Sequence, residues 1–164
     1  MSRDTNTRFL EVDYIPFSGT SPYQVGDTYF GFGAPNGKEC FEMLAIIGVS
    51  NVFNLTMQHE LNHEEQQKFA EEFGIKRYSV PVKDFSIPTI EQIEETYALV
   101  KPLVDAGYKV GFHCGKGYGR TAVMIASMLI KDGYSSDDAI RLVRTSQPHA
   151  FVTLEQELFV MNFK

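Results

Sequence analysis

Lys109-Val110-Gly111-Phe112-His113-Cys114-Gly115-Lys116-Gly117-Tyr118-Gly119-Arg120-Thr121 is the stretch on which the reading of the fold turns. Lys109–His113 is a short apolar run, the pattern of a buried strand, and the residues from Arg120 onward read as an apolar helix. Cys114 and Arg120 are separated by five residues, three of them glycine. Glycines between a strand and a helix let successive backbone N–H groups converge on one point, a nest for an anion. The positive end of the following helix faces the same point. Such surroundings favour a thiolate over a thiol. A planar guanidinium at the helix start can hold two oxygens of a tetrahedral dianion, which an ammonium cannot.

Working outward, apolar runs at Thr28–Phe32, Asn51–Leu55 and Arg77–Val82 also predict strands. Helical periodicity occupies Lys38–Ile47, about Glu64–Phe73, and Ile90–Asp105, where Ile90, Ile93, Tyr97 and Val100 share a face. Thr89-Ile90-Glu91-Gln92 spells a capping box. After the central loop come three predicted helices, Arg120–Lys131, Asp137–Arg144 and Leu154–Phe163, with Gly133 to stop the first and Ser135 or Ser136 to start the second. Strand and helix in alternation, then helices alone, predict an α/β fold: a mainly parallel central sheet flanked by helices, with an all-helical C-terminal part and room for an antiparallel edge. Residues 28–164 are expected to form a single domain, and 1–27 a segment packed on it or leading into it.

Composition narrows the function. The 164 residues carry a formal charge of −6 with 43% hydrophobic residues, which argues against a general binder of nucleic acid or of anionic membranes. The start bears Arg3, Asp4 and Arg8 and is no signal peptide. No apolar run is long enough for a membrane span. Cys40 and Cys114, the only cysteines, have no zinc spacing and make no disulfide scaffold. A reducing, cytoplasmic setting is expected.

Thiolate, amide nest and guanidinium suit a phosphocysteine pathway, in which sulfur attacks phosphorus while the loop carries the oxygen charge. His113-Cys114-x5-Arg120-Thr121 resembles the signature of the protein tyrosine phosphatase superfamily, and the short chain with its helical tail is similar to the small atypical dual-specificity phosphatases. The resemblance implies Cys114 as nucleophile, Arg120 as phosphate clamp, and Gly115, Lys116, Gly117, Tyr118 and Gly119 as the loop around the phosphoryl group. Thr121 is expected to hydrogen-bond the sulfur and His113 to fix the loop. Departure of an alkoxide needs a proton donor on a facing loop. Asp84, between Val82 and Pro88, is the candidate, because Thr89 already caps the next helix and relatives carry an aspartate in that place.

Other residues invite rival readings. His59-Glu60-Leu61-Asn62-His63 spells a zinc-protease motif, but Asn62 is a poor residue inside a helix and no third ligand is evident. Glu60 reads as part of a solvated helix start. Thr153-x-x-Gln156 is explained as a capping box, although some relatives position water with a late glutamine. Cys40 reads as core. The expectation is therefore a metal-free phosphomonoesterase with no cofactor, acting on phosphotyrosine and also on phosphoserine or phosphothreonine in proteins. Inositol lipid, RNA 5′-phosphate or a small metabolite is the alternative substrate, and a non-catalytic phosphate-binding module the alternative class.

Overall fold

The computed structural model describes residues 21–164. The first twenty residues of the expected N-terminal segment lie outside the described residues. Five strands form one sheet: β1 Tyr23–Val25, β2 Tyr29–Phe32, β3 Val49–Asn54, β4 Lys76–Ser79 and β5 Lys109–His113, in the order β1-β2-β5-β3-β4. β1 pairs antiparallel with β2, and every other pairing is parallel. The antiparallel edge foreseen in the sequence is this hairpin, although β1 itself lies before the first run that reads as a strand.

Alternation along the central strands divides the core in two. Val110 and Phe112 of β5 and Phe53 of β3 join one buried cluster; Val52 of β3 and Phe30 and Phe32 of β2 join the other. The second cluster is closed by α1 Lys38–Ile46 and α2 His63–Glu72, the first by α3 Ile90–Asp105, α4 Arg120–Lys131, α5 Ser136–Ser146 and α6 Leu154–Asn162. From Arg120 to Leu129 every residue of α4 is buried, as expected of a helix covered on all sides. Gly111 is pressed between the layers, since a Cβ there would meet Phe32 Cε1 at 2.8 Å.

The helix signals act as spelled. Thr89 and Gln92 form the capping box of α3, Ser135 caps α5, and Gly133 at φ +113° turns the chain out of α4. Two expectations need correction. Ile90, the first residue of α3, is 52% exposed and lines a surface groove with Leu154 and Leu158 instead of joining the core. β4 stops at Ser79, since Pro81 offers no N–H. The chain still runs alongside β3, with Val80 N–H donating to Asn54 O and Val82 N–H to Leu55 O.

Register places the site. Phe32, His113, Asn54 and Ser79 are mutual partners at the C-terminal ends of their strands. The segments that follow, beginning at Cys114, Leu55 and Val80, therefore leave the sheet along one edge, where open parallel sheets hold ligands.

Candidate active site

Cys114 follows β5 directly and is 3% exposed. Its sulfur accepts from the Gly117 N–H at 3.3 Å. Gly117 sits at φ +87°, and a Cβ there would lie 2.7 Å from the Phe32 carbonyl carbon, so only glycine fits. The carbonyls of the loop are held from outside: Gly115 O by Ala34 N–H at 2.8 Å, Gly117 O by the Tyr23 hydroxyl at 2.7 Å, and Tyr118 O by Phe151 N–H at 2.8 Å. A trans peptide with its C=O drawn to one side turns its N–H to the other. Gly119, the N-cap of α4, offers no side chain to satisfy the first helix amides.

Arg120 is 2% exposed and is gripped from behind. Nη1 donates to Glu60 Oε2 at 2.8 Å, Val82 O at 3.0 Å and Leu55 O at 3.4 Å, while Nη2 donates to Glu60 Oε1 at 3.0 Å. Nε is buried without a hydrogen-bond partner. The Arg120 guanidinium holds the Glu60 carboxyl below the usual range against the opposing effect of burial, and the Met57 N–H, 2.7 Å from Oε2, adds to it. Glu60 is thus no solvated helix residue: it lies in the turn between β3 and α2, at the strand edge that carries Arg120. Nothing in its sequence surroundings marks it. The usable signal was the need of a buried arginine for a counter-ion.

Asp84 lies in the turn after β4, its carboxylate Oδ1 3.2 Å from Arg120 Nη2 and accepting from Phe85 N–H at 2.9 Å. Its side chain keeps 57% exposure, and Phe85 stands beside it at φ +64°. Asp84, Phe85, Cys114, Lys116, Tyr118 and Arg120 line one cleft of about 490 Å³. Gln156 completes the capping box of α6, as read, with Oε1 accepting from the N-cap Thr153 N–H at 3.3 Å and also from Val152 N–H at 2.9 Å. It does more: Nε2 donates to Ser86 O at 3.0 Å, and the amide sits 3.0 Å from where a Gly119 Cβ would be. The capping residue thus bonds the Asp84 turn and packs against Gly119 of the loop.

His113 is fully buried with Nδ1 3.4 Å from Cys114 O, a contact that fixes the loop start. Burial lowers its pKa to about 3, so the ring is neutral and Nδ1 donates. The bond expected between Thr121 and sulfur is not formed: Thr121 Oγ1 is buried without a partner, and Gly117 supplies the donor to Sγ instead. The protease-like string falls apart in space. His59 lies in a turn, Asn62 caps α2 by accepting from Glu65 N–H, and His63 is the first residue of that helix. His63 packs between Asn54, Arg77 and Met57 O. Among the described residues no group of His, Cys, Asp or Glu could hold a metal ion. Cys40 is buried in α1, and neither cysteine is in a disulfide.

A buried cysteine and arginine at the two ends of a glycine loop, on the C-terminal edge of this sheet order, define the cysteine-phosphatase fold of the tyrosine and dual-specificity phosphatases. The chain belongs to the family described as "Polymorphic toxin system, DSP-PTPase phosphatase", whose profile matches residues 30–134. It is 28% identical over 134 residues to protein tyrosine phosphatase domain-containing protein 1 of Danio rerio, a match covering 74% of this chain and 19% of that protein. The chain therefore spans about a fifth of that relative's length. A solved structure of Tk-PTP in the active form superposes with a TM-score of 0.76 at 26% identity, covering 86% of this chain and 95% of the other. PTPMT1 in complex with PI(5)P gives 0.74 at 17% identity, covering 87% and 93%.

Proposed function

We propose that this chain hydrolyses phosphate monoesters on proteins, phosphotyrosine foremost, through a phosphocysteine intermediate. The observation that carries the reading is the division of Arg120. Glu60 and the two backbone carbonyls take the rear of the guanidinium, while Nε is left buried and unpaired in the side chain that lines the cleft with Cys114. A buried donor without a partner costs about 1–3 kcal/mol, which a phosphoryl oxygen recovers on binding.

The chemistry follows from the positions. The Cys114 thiolate attacks phosphorus, an S–P bond forms, and the ester P–O bond breaks. The inward amides and Arg120 bear the charge on the non-bridging oxygens. The Asp84 carboxylic acid gives its proton to the departing oxygen. Water then attacks the phosphocysteine, Asp84 as carboxylate takes the water's proton, and the S–P bond breaks to return thiolate and inorganic phosphate. His113 holds the loop start, and Gln156 holds the Asp84 turn against the loop.

Protein rather than lipid substrate is supported by the rim. Phe85 is 61% exposed beside Asp84, suited to stack on an aryl ester, and Tyr118 stands on the loop side. Lys116 is the lone cation of the loop before Arg120, and the chain is net acidic. PTPMT1 has been seen with PI(5)P, but its likeness to this chain is one of fold. A thiolate mechanism with Cys40 and Cys114 reduced fits a cytoplasmic setting; among the described residues no helix is long and apolar enough to cross a membrane.

The test is a panel of p-nitrophenyl phosphate, phosphotyrosine, phosphoserine and phosphothreonine peptides, and short-chain phosphoinositides, each run with Cys114→Ser alongside. Phosphotyrosine peptides should give the highest kcat/KM, and Cys114→Ser should abolish turnover. Turnover by that variant would remove the covalent pathway, and a phosphoinositide preference would move the substrate to lipid.

A further inference from the structure

Tyr23 lies on β1, at the edge of the sheet opposite β4 and far in sequence from the cleft. Its partner across the antiparallel ladder is Gly31. A Cβ on Gly31 would stand 2.4 Å from Tyr23 Cζ, so glycine clears the path for the ring to lie across β2. The hydroxyl thereby reaches the phosphate loop and donates to Gly117 O at 2.7 Å, a bond buried from solvent. The same glycine donates its N–H to Cys114 Sγ.

We propose that Tyr23 is a positioning residue of the phosphate loop, its hydroxyl setting the Gly117–Tyr118 peptide so that the Tyr118 N–H faces the transferred phosphoryl group. The inference rests on the phosphatase reading above. In a planar trans peptide the C=O and N–H point to opposite sides. Drawing Gly117 O toward Tyr23 therefore turns the Tyr118 N–H toward the cleft that Tyr118 lines with Cys114. Glycine offers little torsional resistance of its own, so the peptide's setting depends on what holds its oxygen. The next carbonyl, Tyr118 O, is held separately by Phe151 N–H. Burial, and after it the charge at Cys114, raise the Tyr23 pKa well above that of an ordinary phenol, so the donor keeps its proton at working pH. The Tyr23 hydroxyl bonds Gly117 O, and it is through Gly117 that it acts.

Tyr23→Phe removes one oxygen and keeps the ring on Gly31. Its kcat/KM should fall about 5–30-fold, the loss expected when a buried acceptor is left without its donor. The inhibition constant of orthovanadate, which mimics the transition state, should rise by a similar factor, with kcat bearing most of the loss and KM little. Gly31→Ala, which displaces the ring, should repeat the pattern and serves if Tyr23→Phe does not fold. Tyr29→Phe is the control for general loosening. It loses a bond of equal length to Asp132, away from the loop, and should lower Tm while leaving vanadate affinity unchanged. A folded Tyr23→Phe with kcat/KM and vanadate affinity within about twofold of wild type overturns the proposal and leaves the phosphatase reading standing. Equal weakening of vanadate by Tyr29→Phe also overturns it. A wild-type chain that neither binds vanadate nor turns over any ester removes both readings together.

Discussion

The loop from Cys114 to Arg120 and the turn from Leu55 to Glu60 meet at one guanidinium and treat it in opposite ways. The loop is bent by glycine, with its carbonyls held from outside so that its N–H groups are turned the other way. The turn is a set of acceptors, Leu55 O and both Glu60 oxygens, closed on the rear of Arg120. One side makes a place for negative charge; the other supplies negative charge to keep the cation there. A buried arginine with no rear partner would turn to find one, and in this cleft the reachable carboxylate is Asp84, already 3.2 Å away. Glu60 takes both terminal nitrogens of the guanidinium and leaves Asp84 a single contact, through Oδ1.

The sharpest way to break the comparison is at the shared group. Arg120→Lys keeps the charge but cannot serve the Glu60 fork and a phosphate together. Its kcat/KM should fall about 10³-fold or more, in the upper range for loss of transition-state hydrogen bonds. A loss under tenfold would mean that the fork geometry is unimportant. Asp84→Asn probes the front alone. Phosphotyrosine turnover should fall about 10²-fold, the lower end for general-acid catalysis. p-Nitrophenyl phosphate, with its weakly basic leaving group, should lose much less, and the alkaline limb of the pH profile should flatten. Equal loss on both esters would return Asp84 to a turn residue.

Glu60→Gln probes the rear. It should cost about 1–3 kcal/mol of stability, below the range for a wholly buried pair because Glu60 keeps 19% exposure. Activity should fall about tenfold as Arg120 leans toward Asp84. The sign of the pH dependence is fixed by the depressed carboxyl. The Glu60 contribution is complete above the ordinary value of 4.5 and is lost as pH falls through the lowered folded value. The Tm gap between wild type and Glu60→Gln should therefore close in acid, and a gap that persists below that window would assign the effect to packing. The smallest effect is at the start of the loop. His113→Asn keeps a donor for Cys114 O and should cost about threefold in kcat/KM. With its pKa near 3 folded against 6.5 unfolded, His113 weakens the fold as pH drops below 6.5, since only the unfolded ring takes up the proton. Wild-type Tm should therefore fall more steeply than that of His113→Asn across this range. Parallel slopes would show that the ring is not buried as a neutral base.

Much of this was legible in the chain. Strand, glycine loop and helix are contiguous, so their chemistry is spelled in one string, and the caps at Thr89, Ser135 and Thr153 depend only on near neighbours. The place of Asp84 at the cleft was legible from its position after a strand and before a capped helix. Glu60, Tyr23 and the second task of Gln156 were not. Glu60 was read as solvated because carboxylates at a helix start usually are. Tyr23 lay before the first recognisable strand, and Thr153 already accounted for Gln156.

By itself, then, the sequence determined the alternation that makes a parallel sheet, the glycine loop between strand and helix, and the cysteine and arginine at its ends. These are properties of local backbone geometry and periodicity, which depend on residues close in the chain. Only the tertiary structure decided which carboxylate holds Arg120, which hydroxyl holds Gly117, and which amide ties the Asp84 turn down. Those contacts span separations of 60, 94 and 70 residues. The first exists because the parallel strands β3 and β5 end in register and deliver distant segments to one edge; the other two are brought in by the antiparallel edge strand β1 and by α6.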